Sequence, residues 1–300
     1  MIDPSRMQTL RAIEHHGSIA EVARVMHLTP SAISQQIRQL SDDVGASLLE
    51  REGRSVRLTP AAHTLLRYSH RAAAVWEEAR ADLDLLVTGD ERLTGHLAMC
   101  GFATAIPSLV APTAHSLTKE SNRVTVSVRE ASTAESLTLL LQQSVDVAVI
   151  AAPTNLPFGD PRFEQKTLLD DPQDLVAASN GPLGQLETGR LQDADREYWI
   201  EPHIDQRRLI EAACSMEGFV PNFRHQANEW NAVLALVKAG MGVCLYPRMA
   251  PLNTPGVHRI VLSGSNLPIR RVLTCVRAGS SRQPLISRTL QLLEQTARRY

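Results

Sequence analysis

Thr29, Pro30, Ser31, Ser34, Gln35 and Arg38 are the residues of this chain whose types and spacing best suit chemistry. Positions 31, 34, 35 and 38 recur at three- and four-residue intervals, so they share one face of a helix. No acid lies between Val22 and Ser41. Gln can bond adenine through two hydrogen bonds, Arg can bond guanine or phosphate, and Ser fits either a base or a phosphate. A helix opening at Pro30 also aims free N–H groups outward, which favours phosphate. This face is suited to reading double-stranded DNA; the same pattern also fits a plain helical hairpin. A second basic group follows at Arg51 and Arg54, with Arg57, Arg67 and Arg71 beyond and Glu52 as the one acid among them. Arg51 and Arg54 can reach phosphates or the minor groove, or remain solvated turn residues.

No catalytic set accompanies these residues. The chain has no G-x-S-x-G elbow, P-loop or H-E-x-x-H motif. His15 and His16 are neighbours, and neighbours on a helix do not share a face. The four cysteines, Cys100, Cys214, Cys244 and Cys275, are far apart and sit in apolar runs. They read as buried free thiols rather than metal ligands, which fits a reducing compartment. We therefore expect no metal, no cofactor and no enzyme activity. The polar start, Met1-Ile2-Asp3-Pro4-Ser5-Arg6, lacks an apolar core of the secretory kind. No stretch reaches the ~20 apolar residues that span a bilayer. These features predict a cytoplasmic protein without membrane contact. A net charge of −1 over 300 residues gives no global attraction to nucleic acid, so any such interaction must be local.

The elements that would hold the reading face are legible from caps and apolar spacing. Ser5 can cap a first helix that ends at Gly17. Ser18 can cap a second, with Glu21 completing a capping box. Its apolar side is Ile19, Val22, Ala23 and Met26, and Ala23 suits a close helix crossing. Leu28 falls in the turn, and Thr29 with Pro30 opens the third helix, held inward by Ile33, Ile37 and Leu40. Two short extended runs around Glu52-Gly53-Arg54 predict a hairpin. Thr59 with Pro60 opens a helix running to about Val87. A helix that long and isolated either packs against a second copy of itself or lies along its own domain. Gly89 to Gly95 reads as a linker.

Beyond it the pattern alternates. Strands are predicted at 97–100, 124–128, 145–150, 174–178, 198–200, 223–226, 243–246 and 269–276. Helices are predicted at 105–118 (interrupted by Pro107 and Pro112), 133–143, 206–216, 231–239 and 285–296; Pro153 to Pro161 is a loop. Such alternation implies an α/β layer architecture with largely parallel strands.

Residues Leu10 to Leu66 resemble the DNA-binding domain of LysR-type transcriptional regulators. The segments carrying the resemblance are HHGSIAEVARVMHLTPSAISQQIRQLSDDVGASLLER and REGRSVRLTPAA. It continues through GHLAMCGF, ESLTLLLQQSVDVAVI and VLALVKAGMGVCLYP, in order and spacing. The resemblance implies a winged helix-turn-helix over 1–58, a dimerisation helix over 59–88 and a regulatory domain over 89–300. That domain would have two lobes like a periplasmic binding protein, one about 93–165 with 268–300, the other about 166–267. It also implies an operator on double-stranded DNA, a small-molecule effector, a homodimer or homotetramer, and RNA polymerase as a further candidate partner. The rival reading is a cytoplasmic small-molecule-binding protein or enzyme whose N-terminal helices serve assembly.

In the family the effector lies between the lobes. The matching positions are Phe102, Ala103 and Thr104, then Ser132 and Thr133, then Asn228, Glu229 and Trp230, with Glu201 also facing the cleft. Ligands of α/β domains bind beyond the carboxyl ends of strands, in agreement with those places. Ser132 and Thr133 also read as simple helix caps. Glu201 and Glu229 can favour a cationic or amino group, or can be solvated surface acids. The chain departs from the family at Gly101-Phe102-Ala103, where a hydroxyl residue is common, and at Lys119 to Val124.

Overall fold

Asp3 accepts a hydrogen bond from the Ser5 amide at 2.8 Å and so caps the first helix, α1 (Pro4–His16). The cap thus lies two residues before the expected Ser5, and Pro4 takes the first helical position, where a missing N–H is harmless. We describe the chain from a computed structural model, which covers residues 3–52, 55–88, 93–152, 160–202, 204–264 and 266–300. The chain forms two compact units. One comprises Met1–Gly89 with Gly159–Glu164 and Arg277–Gln283; the other comprises Asp90–Phe158, Gln165–Val276 and Pro284–Tyr300.

In the first unit α1 closes at Gly17, as expected. Ser18 caps α2 (Ile19–Val25) by accepting from the Glu21 amide at 3.2 Å. Glu21 does not complete the box; its carboxylate takes the Arg24 guanidinium instead. Thr29 caps α3 (Pro30–Val44), accepting from the Ala32 amide at 3.2 Å. Leu10, Ile13, Val22, Ala23, Ile33, Ile37 and Leu40 are buried in one core. Arg6 ties α1 to α3 through Asp43 at 2.6 Å. Strands β1 (Leu49–Glu52) and β2 (Ser55–Leu58) pair antiparallel as the expected hairpin, whose Gly53-Arg54 tip lies outside the described residues. The Thr59 hydroxyl accepts from the Ala62 amide at 3.1 Å and opens α4 (Pro60–Thr88). At ~1.5 Å per residue this helix is about 43 Å long.

The second unit holds the alternating part. Its elements are β3 (Gly95–Gly101), α5 (Ala111–Glu120), β4 (Val124–Glu130), α6 (Thr133–Leu141), β5 (Val147–Ala151), β6 (Phe163–Ala178) and β7 (Thr188–Gly189). Then follow β8 (Tyr198–Glu201), α7 (Ile204–Met216), β9 (Asn222–Gln226), α8 (Trp230–Lys238), β10 (Cys244–Pro247), β11 (Val257–Leu262), β12 (Ile269–Arg277) and α9 (Pro284–Ala297). The main sheet runs β4-β3-β5-β12-β6-β11-β7, with β10 also paired to β6. One apolar core lies under β3, β5, α5 and α9, and another around β8, β10, α7 and α8. These are two lobes, and β6 and β12 run side by side between them.

Several elements differ from expectation. The sheet is mixed: β3 is parallel to β4 and β5, but β12 is antiparallel to β5, and β10 and β11 are antiparallel to β6. Pro107 and Pro112 do not interrupt the helix. A single wide turn at Ile106–Val110 leads directly into α5, so each proline falls near a helical start and removes no needed N–H. Pro247 ends β10 from within it. Strand β6 begins eleven residues before the expected Asp174. Its stretch Leu169-Asp170-Asp171-Pro172 carries no strand signal, yet Asp171 and Asp174 are buried because arginines neutralise them. Asp174 holds Arg248 at 2.6 Å and Arg259 at 3.2 Å, and Asp171 holds Arg270 at 2.8 Å. Strands β7 and β11 carried no clear sequence signal. Of the expected 153–161 loop, 153–159 lies outside the described residues, as do 89–92 of the expected linker.

Candidate nucleic-acid interface and ligand cleft

The cap at Thr29 fixes which way α3 faces. With Ile33, Ile37 and Leu40 buried, Pro30, Ser31, Gln35 and Arg38 are exposed and Ser34 is half-buried. Thr29 Oγ1 lies 2.9 Å from Ser31 Oγ, and the Ser34 hydroxyl donates to the Pro30 carbonyl at 2.9 Å. Those hydroxyls are oriented but keep acceptor capacity. Gln35 and Arg38 bond no other described side chain. The structure thus brings the expected reading residues of α3 onto one exposed helix face, which is free of acids through Arg38 and meets its first acid, the exposed Asp42, one turn further on. In the hairpin, Arg57 is held by Glu50 at 2.7 Å. Arg51 belongs to β1 by its backbone, while its side chain and all of Arg54 lie outside the described residues.

On α4, one side is buried through Ala62, Leu66, Glu77 and Ala81. Another side exposes Tyr68, Val75, Trp76, Leu83 and Leu86, with Trp76 73% and Leu86 82% accessible. Charged contacts that the sequence did not reveal hold the buried side. Glu77 accepts from Arg277 Nε at 3.0 Å and from Gln283 Nε2 at 2.8 Å. Nearer its start, His70 Nε2 lies 2.9 Å from the Glu14 carboxylate of α1, and Arg162 adds a 3.8 Å contact to the same carboxylate. Burial works against the Glu14 charge, but His70 and Arg162 outweigh it and keep its pKa below the ordinary glutamate value.

In the second unit a cleft of about 940 Å³ opens between the lobes. Phe102, Ala103, Thr104, Ser132, Thr133, Asn228 and Glu229 all line it, as does Trp230. Glu201 is not on its wall. The Glu201 carboxylate is held by Arg207 at 2.6 Å beside Gln226, so it is already neutralised within its own lobe. The hydroxyls have structural partners: Ser132 accepts from the Glu135 amide, and Thr133 exchanges bonds with both backbone groups of Ala151. Capping and lining coexist there.

The sequence reading missed Arg270, at the start of β12. Its guanidinium lies 4.4 Å over the Phe102 ring and donates to the Thr104 hydroxyl at 3.0 Å and to Asp171 at 2.8 Å. Burial pushes its pKa down against the pull of Asp171, although an arginine keeps its charge. The available signal was the charged Arg270-Arg271 pair opening an otherwise apolar strand. Gln206 and Tyr246 also reach the wall; burial raises the Tyr246 pKa, against nearby Arg259 and Arg270. All four cysteines are buried and none is in a disulfide, and burial pushes the Cys214 thiol up to about 12, outside the range of a reactive thiolate. Among the described residues no cluster could hold a metal ion, and no helix is long and apolar enough to cross a membrane.

Residues 4–63 match the family described as bacterial regulatory helix-turn-helix protein, lysR family, and residues 90–298 match the LysR substrate binding domain. The chain is 29% identical over 250 residues to the transcriptional dual regulator GltC of Bacillus subtilis, covering 77% of this chain and 80% of that one. It is 26% identical over 298 residues to the HTH-type transcriptional regulator CbbR of Rhodospirillum rubrum, covering 98% and 96%. Full-length CbnR in complex with its target DNA superposes with a TM-score of 0.59 at 20% identity, covering 98% of this chain and 99% of that one. A full-length OxyR variant from Pseudomonas aeruginosa gives 0.64 at 18% identity, covering 99% and 95%. At such identities the two solved structures establish a shared fold.

Proposed function

This chain belongs to the LysR family of DNA-binding transcriptional regulators with an effector-binding domain, and from that premise we propose which residues read the operator and which meet the effector. Family membership sets aside the rival reading of an enzyme with an assembly module. In the proposal, α3 enters the major groove with Thr29, Pro30, Ser31, Ser34, Gln35 and Arg38. Arg51 and Arg54 of the wing meet phosphates or the adjacent minor groove. Phe102, Ala103, Thr104, Ser132, Thr133, Asn228 and Glu229 meet a small-molecule effector in the cleft. Two copies join through the exposed side of α4.

The observation that carries the DNA reading is the α3 face itself. Gln35 and Arg38 stand exposed on a helix whose N-terminal cap and inner face are fixed, and no acid lies between residues 22 and 41. A donor-rich face that stays free of acids from the helix start through Arg38 suits base edges and phosphates. The test begins with selection of bound fragments from genomic DNA. Gln35→Ala and Arg38→Ala are then compared with the parent by fluorescence anisotropy on the selected site. Each lost base contact costs ~1–3 kcal/mol, or about 5–150-fold in affinity, at an unchanged melting temperature. Folded variants that bind the selected site as tightly as the parent would remove this face from the interface.

A further inference from the structure

Arg270 is the deepest charge in the cleft wall, and its hydrogen bonding is incomplete. Arginine carries five N–H donors. One terminal nitrogen serves both Thr104 and Asp171, while Nε is buried with no partner. Among the described residues only the Ser136 hydroxyl shares that condition. An orphaned donor on a charged group is costly, and the part of the guanidinium that lines the cleft is where a ligand has hydrogen bonds to complete.

The surroundings specify what would complete it. Phe102 covers one face of the guanidinium. Asp171 balances the charge but takes only one guanidinium N–H, since it also accepts from the Met249 amide at 3.0 Å and from the Gln173 side chain at 3.3 Å, and donors of Arg270 stay uncommitted. Pro107, Leu209, Ala212, Trp230 and Ile269 give the wall an apolar character. Glu135 is spent on Arg129 at 2.8 Å, and Glu130 and Glu229 are exposed. The acids therefore lie outward and the incompletely bonded cation lies inward. That arrangement favours an anionic group directed inward and opposes a cation there.

Resting on the assignment of this cleft as the effector site, we propose that the effector is a small organic carboxylate with a compact apolar body, held by Arg270. Its position gives the contact a consequence. Arg270 lies on β12 and Asp171 on β6, the two strands that run between the lobes, and Thr104 belongs to the first lobe. A carboxylate that shares the guanidinium with Asp171 acts where the lobes are joined.

The test compares matched skeletons by thermal shift and calorimetry: phenylacetate, phenylacetamide and phenethylamine; hexanoate, hexanamide and hexylamine. The expected result is stabilisation by a carboxylate and none by its amide or amine at equal millimolar concentration. Arg270→Gln then weakens that carboxylate about 10–100-fold, the size of a lost hydrogen bond to a charged group. Arg270→Lys, which keeps the charge, restores part of the loss. Equal stabilisation by amide and acid, no stabilisation by either acid, or unaltered carboxylate binding by Arg270→Gln overturns the proposal. The matched-skeleton comparison needs no variant and stands even where Arg270→Gln does not fold. The outcomes also separate from the cleft assignment. A neutral or cationic compound that shifts operator binding keeps the cleft as effector site and overturns the carboxylate. A carboxylate that binds through Arg270 without changing operator binding overturns the effector role and keeps the anion site.

Discussion

Gly279 shows how a single backbone position can secure α4. Its φ is 85°, and a Cβ there would fall 2.2 Å from the Ala74 carbonyl oxygen and 3.1 Å from the Glu78 side chain. Its amide also donates to the Glu164 carboxylate. Gly218 supplies the comparison, since it has the same φ of 85° with nothing within 4 Å of its Cβ position. Alanine at either site incurs the left-handed backbone penalty of ~1–3 kcal/mol. Only Gly279→Ala adds the collision with the α4 backbone. Urea denaturation should place Gly279→Ala well below Gly218→Ala in midpoint; equal midpoints would show that the close approach relaxes without cost. Reactive residues divide in the same way between visible and hidden. Gln35 and Arg38 were visible in the sequence, because one helix period and a cap suffice to orient them. Arg270 was not, because its partners Thr104 and Asp171 stand 166 and 99 residues away. Glu201 was misplaced for a different reason: its neutralising Arg207 is only six residues away, but nothing in the spacing distinguishes a paired acid from a free one.

At the scale of elements, local rules carried the first ninety residues and long-range pairing governed the rest. Helices α1 to α4 follow from caps, prolines and apolar spacing, each within a few residues of the signal. Eleven of the sixteen residues of strand β6 were missed, because a carboxylate such as Asp171 gives no strand signal until its distant arginine is known. The same kind of remote pairing joins α1 to α4. Glu14 sits against His70, Arg162 and Asp160, and its folded pKa is depressed below 4.5. A carboxylate with a depressed folded pKa contributes stability above its unfolded pKa and loses it as the pH falls through the folded value. Glu14→Gln removes the charge at nearly constant shape. It should therefore destabilise the protein at pH 7, with the difference from the parent shrinking progressively below about pH 4.5. Urea unfolding at a series of pH values measures this, and a difference independent of pH would show that the ion pair contributes nothing. Strand β12 belongs at this scale too. Its first residues line the cleft, and its last, Arg277, is bonded to Glu77 of α4.

For the whole molecule, the exposed stripe of α4 is the feature that one chain leaves unfinished. Tyr68, Val75, Trp76, Leu83 and Leu86 recur at intervals of seven, one, seven and three, which keeps them on one side of the helix. A contiguous apolar stripe of this kind in water marks an interaction surface rather than scattered exposure. The occupant we expect is a second copy of α4, because like stripes are self-complementary across a two-fold axis. The same axis relates the two α3 faces, so the operator should carry two inverted half-sites. Leu83→Asp with Leu86→Asp places four charges in the apolar stripe of such a pair and leaves the buried side of the helix, Ala62, Leu66, Glu77 and Ala81, untouched. Each protomer should keep its fold by circular dichroism while light scattering reports a monomer. Affinity for a site with both half-sites should then fall toward that for one, because the second contact is no longer intramolecular. An assembly that survives both substitutions would place the pairing surface elsewhere and leave the α4 stripe without a partner.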